Sequence, residues 1–255
     1  MRPEKPGEFD LIAGLRRRAK AHPRVPLGIG DDCALIAPSP GHEVLVTTDM
    51  LLDGRHFRLQ EHGLANIGHK ALAVNLSDIA AMAGTPIAAF VAVALPRDRA
   101  VEVAEGLEEG MRPLADRFAV SLAGGDTNAW DGPLVVCVTL IGEVERTRAA
   151  RRSGARPGDV VLVTGPLGGS ILGRHLRPEP RIIEAQRLAQ ASTIHAMIDI
   201  SDGLAADLGH VLEESGGLGA ILEEEHIPIH DDAFTLTDRD GPIGRAMQSL
   251  FIDSR

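Results

Sequence analysis

Seven aspartates stand beside glycine, serine or threonine where apolar runs give way to Gly-rich or helical segments. They are Asp31 and Asp32 in Gly-Ile-Gly-Asp-Asp, Asp49 in Val-Thr-Thr-Asp, Asp78 in Asn-Leu-Ser-Asp, Asp126 in Gly-Gly-Asp-Thr, and Asp199 and Asp202 in Ile-Asp-Ile-Ser-Asp-Gly. Any one of them, alone, serves equally as a turn former or a helix N-cap. As a set they predict different chemistry, because carboxylates gathered at one end of a sheet repel one another unless cations separate them. Magnesium suits such a set, being a hard ion that takes carboxylate and phosphate oxygens and keeps several waters.

The glycines fit phosphate contact. Gly28, Gly30, Gly124, Gly125, Gly165, Gly168 and Gly169 would let backbone N–H groups approach oxyanions closely, although tight turns alone explain them as well. No Gly-x-x-x-x-Gly-Lys-Ser/Thr stretch occurs, and Gly68-His69-Lys70 lacks the loop spacing, which excludes a Walker-type site. The protein-kinase signature set, a Gly-x-Ser-x-Gly elbow and His-Glu-x-x-His are also missing. Most histidines are scattered. His56, in Asp53-Gly54-Arg55-His56-Phe57 just beyond Asp49, is singled out by its position.

These residues need elements to position them. Apolar Phe9, Ile12 and Leu15 predict a first helix over residues 9–21. Short β-branched runs predict strands at 43–48, 87–95, 119–123 and 134–144. Between them, helices are expected at 64–83, ended by Gly84-Thr85-Pro86, and at 100–118, where Pro113 should kink or divide the helix. The Arg-, Gly- and Pro-dense stretch 151–158 marks a boundary between domains 1–150 and 151–255. Beyond it the pattern continues: strand 160–164, a Gly-rich turn at 165–169, helix 181–191, strand 197–200, helix 204–215 and strand 218–222. Alternating strands and helices mean an α/β or α+β fold.

Composition narrows the partners. With 255 residues and 44% apolar side chains the chain can bury a substantial core. A net charge of −10 opposes binding to nucleic acid or an anionic membrane, and a polyanionic substrate then needs metal ions as adaptors. With no tyrosine and Trp130 as the one tryptophan, base stacking on aromatic platforms is disfavoured. The longest apolar runs have strand length, short of the roughly 20 residues of a spanning helix. Met1-Arg2-Pro3-Glu4-Lys5 does not open a signal peptide, so a cytoplasmic location is expected. Cys33 and Cys137 are expected to be reduced core residues.

Taken in order, Gly28-Ile29-Gly30-Asp31-Asp32-Cys33-Ala34, Thr47-Thr48-Asp49, Gly54-Arg55-His56-Phe57, the run from Lys70 through Asn75-Leu76-Ser77-Asp78 to Met82, Gly124-Gly125-Asp126-Thr127, Arg152-Ser153-Gly154 through Asp159, and Ile198-Asp199-Ile200-Ser201-Asp202-Gly203-Leu204 resemble the thiamine-monophosphate kinase family. That family lies in the aminoimidazole ribonucleotide synthetase-like superfamily. The resemblance implies a two-domain α/β fold whose N-terminal sheet dimerises into a barrel, followed by a C-terminal α/β domain. It implies ATP-dependent phosphorylation of thiamine phosphate to thiamine diphosphate by a homodimer. Asp32, Thr47, Thr48, Asp49, Asp78, Asp126, Asp199 and Asp202 would hold Mg2+, with Asp49, Asp126 and Asp202 catalytic. Arg152 and Ser201 would contact ATP, Gly125 would lie against its phosphates, and His56 would meet thiamine phosphate. The family also carries a later Gly-Glu-Asp-Tyr/Phe-Glu-Leu motif that these residues lack, so the C-terminal domain is expected to be incomplete. A non-catalytic ATP- and magnesium-binding homologue is the alternative.

Overall fold

The computed structural model describes residues 8–29 and 33–240. Asp31 and Asp32 therefore lie outside the described residues. The chain divides into two compact units, the first comprising Met1–Leu76 and Thr85–Arg146, the second Ser77–Gly84 and Thr147–Arg255.

The first unit is built on a four-stranded sheet in the order β1-β4-β2-β3, formed by β1 (His42–Leu52), β2 (Thr85–Pro96), β3 (Ser121–Trp130) and β4 (Val135–Glu145). β4 is antiparallel to both β1 and β2, whereas β3 runs parallel to β2. Period-two alternation gives the sheet two different faces. On one, Leu45 and Leu51 of β1 meet Gly142 and Val136 of β4, in line with the buried Leu140 and Val138. The other carries Val44, Val46, Met50 and Leu52 of β1, all exposed.

Helices α1 (Glu8–Arg18), α2 (Leu59–His62), α3 (Leu64–Ala81) and α4 (Ala100–Arg117) complete the first unit's elements, with α3 running on into the second. α3 and α4 approach so closely that glycine is required at the crossing. A Cβ on Gly68 would lie 2.1 Å from the Leu107 carbonyl oxygen, and one on Gly110 would lie 2.1 Å from that of Ala65. Neither neighbour is a flexible side-chain end. Gly110→Ala is therefore expected to lower stability by about 1–3 kcal/mol through overpacking. Chemical denaturation checks this, and an unchanged midpoint would contradict it.

Several expected boundaries shift. The first helix ends at Arg18 rather than residue 21. α3 stops at Ala81, where Ala83 takes a left-handed φ of 55° and the Gly84 N–H bonds to the Ile79 carbonyl, a Schellman-like ending. Pro113 does not divide α4. Its ring sits on the exposed face, where water can satisfy the freed carbonyl of Glu109. Strands β1 and β3 run longer than their apolar cores: Asp49 lies within β1, and Gly124-Gly125-Asp126-Thr127 lies within β3 instead of following it. Asp78 sits in the last turn of α3, inside the helix expected there.

The second unit contains α5 (Ile182–Ala191), α6 (Leu204–Glu214) and α7 (Asp231–Asp240), the last not anticipated from the sequence. The strands expected at 160–164, 197–200 and 218–222 do not form; among the described residues of this unit the only β pairing is the isolated bridge between Leu167 and Ile229. A strand requires a hydrogen-bonded neighbour as well as apolar residues. Val160 and Ile221 are instead 80% and 93% exposed. The cysteines depart from expectation as well: both are free thiols, but Cys33 is exposed and Cys137 only half-buried.

Candidate active site

His56 is oriented by its own turn. The Leu52 carbonyl accepts hydrogen bonds from the Arg55 and His56 N–H groups, while the Leu52 N–H donates to His56 Nδ1 at 3.0 Å. An accepting Nδ1 leaves the proton of the neutral ring on Nε2, a donor suited to a phosphate oxygen. Burial, then the charges of Lys70 and Arg55, push the His56 pKa below the usual histidine value, which favours this neutral form. Lys70, from α3, is buried and donates to the His56 carbonyl at 2.9 Å. Burial lowers its ammonium pKa. Lys70 belongs to a quoted motif but received no role from the sequence, because its partner is a backbone oxygen from another segment.

The acidic residues of the first unit are spread across the sheet. Asp49 pairs with Val138, which pairs with Val91, which pairs with Gly125. Asp126 is one position beyond that row, so alternation places it on the opposite face. Thr47 shares the face of Asp49. Thr48 shares that of Asp126 and bonds to Thr139 at 3.1 Å. Asp126 accepts from the Thr127 N–H and the Asn128 amide, both at 2.9 Å. The expectation that these carboxylates gather at one end of a single sheet is therefore not met, since β1 and β3 are its two edges. At Gly125 a Cβ would come within 1.9 Å of the Val91 carbonyl oxygen, so only glycine lets β3 lie this close to β2.

The second unit brings two acidic motifs together. Ser77 Oγ donates to Asp199 Oδ2 at 2.9 Å. Burial foremost, and then the neighbouring Asp78 charge, raise the Asp199 pKa, with the Ser77 hydrogen bond opposing. Two crowded carboxylates beside a hydroxyl form an oxygen donor set that suits a hard divalent cation, which would relieve their repulsion. Among the described residues no group of three or more His, Cys, Asp or Glu side chains is arranged as a ready metal site. Arg152 is exposed, and the neighbouring Arg151 carbonyl accepts from the Met197 N–H at 2.8 Å, tying this stretch to the segment leading to Asp199. Ser201 and Asp202 are exposed on a turn whose N–H groups all bond to Asp207. Asp207 was missed; an acidic residue in the first turn of a helix that follows Asp-Gly was the available signal.

The fold and these motifs define a protein of the AIR-synthase-related class: residues 30–144 match the family described as AIR synthase related protein, N-terminal domain. Within that class, the chain is 44% identical over 241 residues to a thiamine-monophosphate kinase of Rhodopirellula baltica, spanning 92% of this chain and 75% of that relative. Its structure is similar to that of the thiamine-monophosphate kinase from Stenotrophomonas maltophilia K279a, with a TM-score of 0.80, 33% identity, and coverage of 96% of this chain and 81% of the other. A structure described as AaThiL complexed with AMPPCP and TMP matches with a TM-score of 0.76 at 29% identity, covering 100% of this chain and 84% of that one. The chain belongs to the thiamine-monophosphate kinase family.

Proposed function

We propose that this chain transfers the γ-phosphoryl group of ATP to thiamine phosphate, giving thiamine diphosphate and ADP. A phosphate oxygen of thiamine phosphate forms the new P–O bond as the bond between the γ-phosphorus and the β,γ-bridging oxygen breaks. The acceptor oxygen is already ionised at neutral pH, so no strong general base is needed. Bringing two polyanions in line is the main obstacle, and bound Mg2+ would supply charge neutralisation and orientation. Asp32, Thr47, Thr48, Asp49, Asp78, Asp126, Asp199 and Asp202 would hold several such ions, with Asp49, Asp126 and Asp202 closest to the transfer. Ser201 and Arg152 would bind ATP, with Gly125 against its phosphates. A cytoplasmic location accords with this substrate; no helix among the described residues is long and apolar enough to cross a membrane.

The observation that carries the acceptor half of this reading is His56, whose Nδ1 is occupied by the Leu52 N–H and whose Nε2–H is left to donate. His56→Ala is expected to raise the thiamine phosphate KM about tenfold, the loss of one hydrogen bond to a charged group, with the ATP KM within twofold of the parent. Steady-state kinetics with each substrate varied in turn checks this. Equal losses for both substrates would contradict the assigned contact.

The functional unit in this reading is a homodimer. Asp49 and Asp126 lie on opposite faces of the two edge strands, three interstrand spacings apart, or about 14 Å. Magnesium binds oxygens at about 2.1 Å, so these two carboxylates cannot share an ion within one sheet. The exposed Val44, Val46, Met50 and Leu52, on the face that carries Asp126, offer an apolar surface for a second copy to cover.

A further inference from the structure

We infer that Asp207 is a positioning residue that shapes the Ser201-Asp202-Gly203 turn for Mg·ATP, an inference that rests on the roles proposed above for Ser201 and Asp202. A single oxygen, Asp207 Oδ2, accepts the N–H groups of Ser201, Asp202 and Gly203 at 2.8, 3.0 and 3.0 Å. The Asp207 N–H in turn donates to the Gly203 carbonyl at 3.0 Å, so the first turn of α6 and the loop before it are tied in both directions. Gly203 makes this path possible with a φ of 111°, a conformation that side-chain-bearing residues rarely adopt.

Asp207 is only 3% exposed, whereas Ser201 and Asp202 face solvent. The buried carboxylate is therefore placed to hold the turn and not to touch a ligand. Three N–H groups converging on one point normally make a nest for an external anion. Here the chain's own carboxylate fills it. An ATP phosphate consequently cannot bind these amides, and the turn engages nucleotide through the Ser201 hydroxyl and the Asp202 carboxylate, the latter by way of a cation. This explains how a helix N-terminus, ordinarily a phosphate site in its own right, serves a metal-dependent nucleotide site.

The test is calorimetric binding of Mg·AMPPCP, with AMPPCP in EDTA as the reference, alongside amide hydrogen exchange at residues 201–203. Asp207→Ala is expected to speed exchange at all three amides and to weaken Mg·AMPPCP binding about tenfold, the range in which supporting residues of metal sites act. The EDTA reference, which retains only the Ser201 contact, should weaken less. Asp207→Asn, which keeps one acceptor oxygen, should fall between the two. A purely structural role would lower thermal stability yet leave the Mg·AMPPCP affinity at the parental value, and that result overturns the inference. Should Asp207→Ala fail to fold, Asp207→Asn decides the matter, with parental affinity again overturning it. Binding needs no phosphoryl transfer, so a parent that binds Mg·AMPPCP but makes no thiamine diphosphate refutes the proposed activity and leaves this test standing.

Discussion

Asp49→Asn should abolish magnesium-dependent ATP binding, by at least about 100-fold, while leaving the fold intact. The substitution preserves side-chain volume and removes one negative charge from the middle of β1, where backbone pairing with β4 sets the register whatever the side chain. Thermal stability in EDTA should thus stay near the parental value. An amide is a far weaker ligand for a hard cation than a carboxylate, and a metal that neutralises transferring phosphates is worth several kcal/mol. Titration of ATP with and without Mg2+ checks the result, and an unchanged magnesium-dependent affinity would end the metal role assigned to Asp49.

Asp199→Asn should act in opposite directions on stability and on metal affinity. In the metal-free chain the Asp199 pKa is raised, mainly by burial and then by Asp78. A carboxyl whose folded pKa lies above its unfolded value binds more protons in the folded state, so its effect on stability grows unfavourable as pH rises between those two values. The penalty grows until the pH has passed the folded pKa. Asparagine keeps an acceptor for the Ser77 hydroxyl and removes the buried charge, so the variant should melt at a higher temperature than the parent in EDTA at pH 7. Adding Mg2+ should raise the parental melting temperature and raise that of the variant much less. Equal responses to Mg2+ would place the cation away from Asp199.

The sequence carried the chemistry better than the geometry. The four strands of the first unit are visible as short β-branched runs, but those runs end before Asp49 and Asp126, which lie inside β1 and β3. Polar residues do not stop a strand when backbone pairing continues, as Thr47, Thr48 and Asp49 do opposite Leu140, Thr139 and Val138. Likewise, Gly124 and Gly125 look like a loop in the sequence, whereas they lie in β3, which needs glycine at 125 because the Val91 carbonyl leaves no room for a Cβ. Which sheet face each acidic residue occupies depends on register, which no single strand reveals. The runs at 160–164 and 218–222 have strand composition but no partner strand among the described residues, so propensity alone misled. Lys70 and Asp207 escaped assignment for a related reason: both act on backbone groups, which leave no mark in residue types. The motifs containing Asp78 and Asp199 stand out in the sequence by their side chains, and the hydrogen bond from Ser77 to Asp199 joins them across 122 residues.

The most direct test of the account is an assay of the 255-residue chain with ATP, Mg2+ and thiamine phosphate, following thiamine diphosphate and ADP together. The account predicts that the two products form in equal amounts and that EDTA stops both. ATP binding without thiamine diphosphate, or ADP formation that ignores thiamine phosphate, would contradict it.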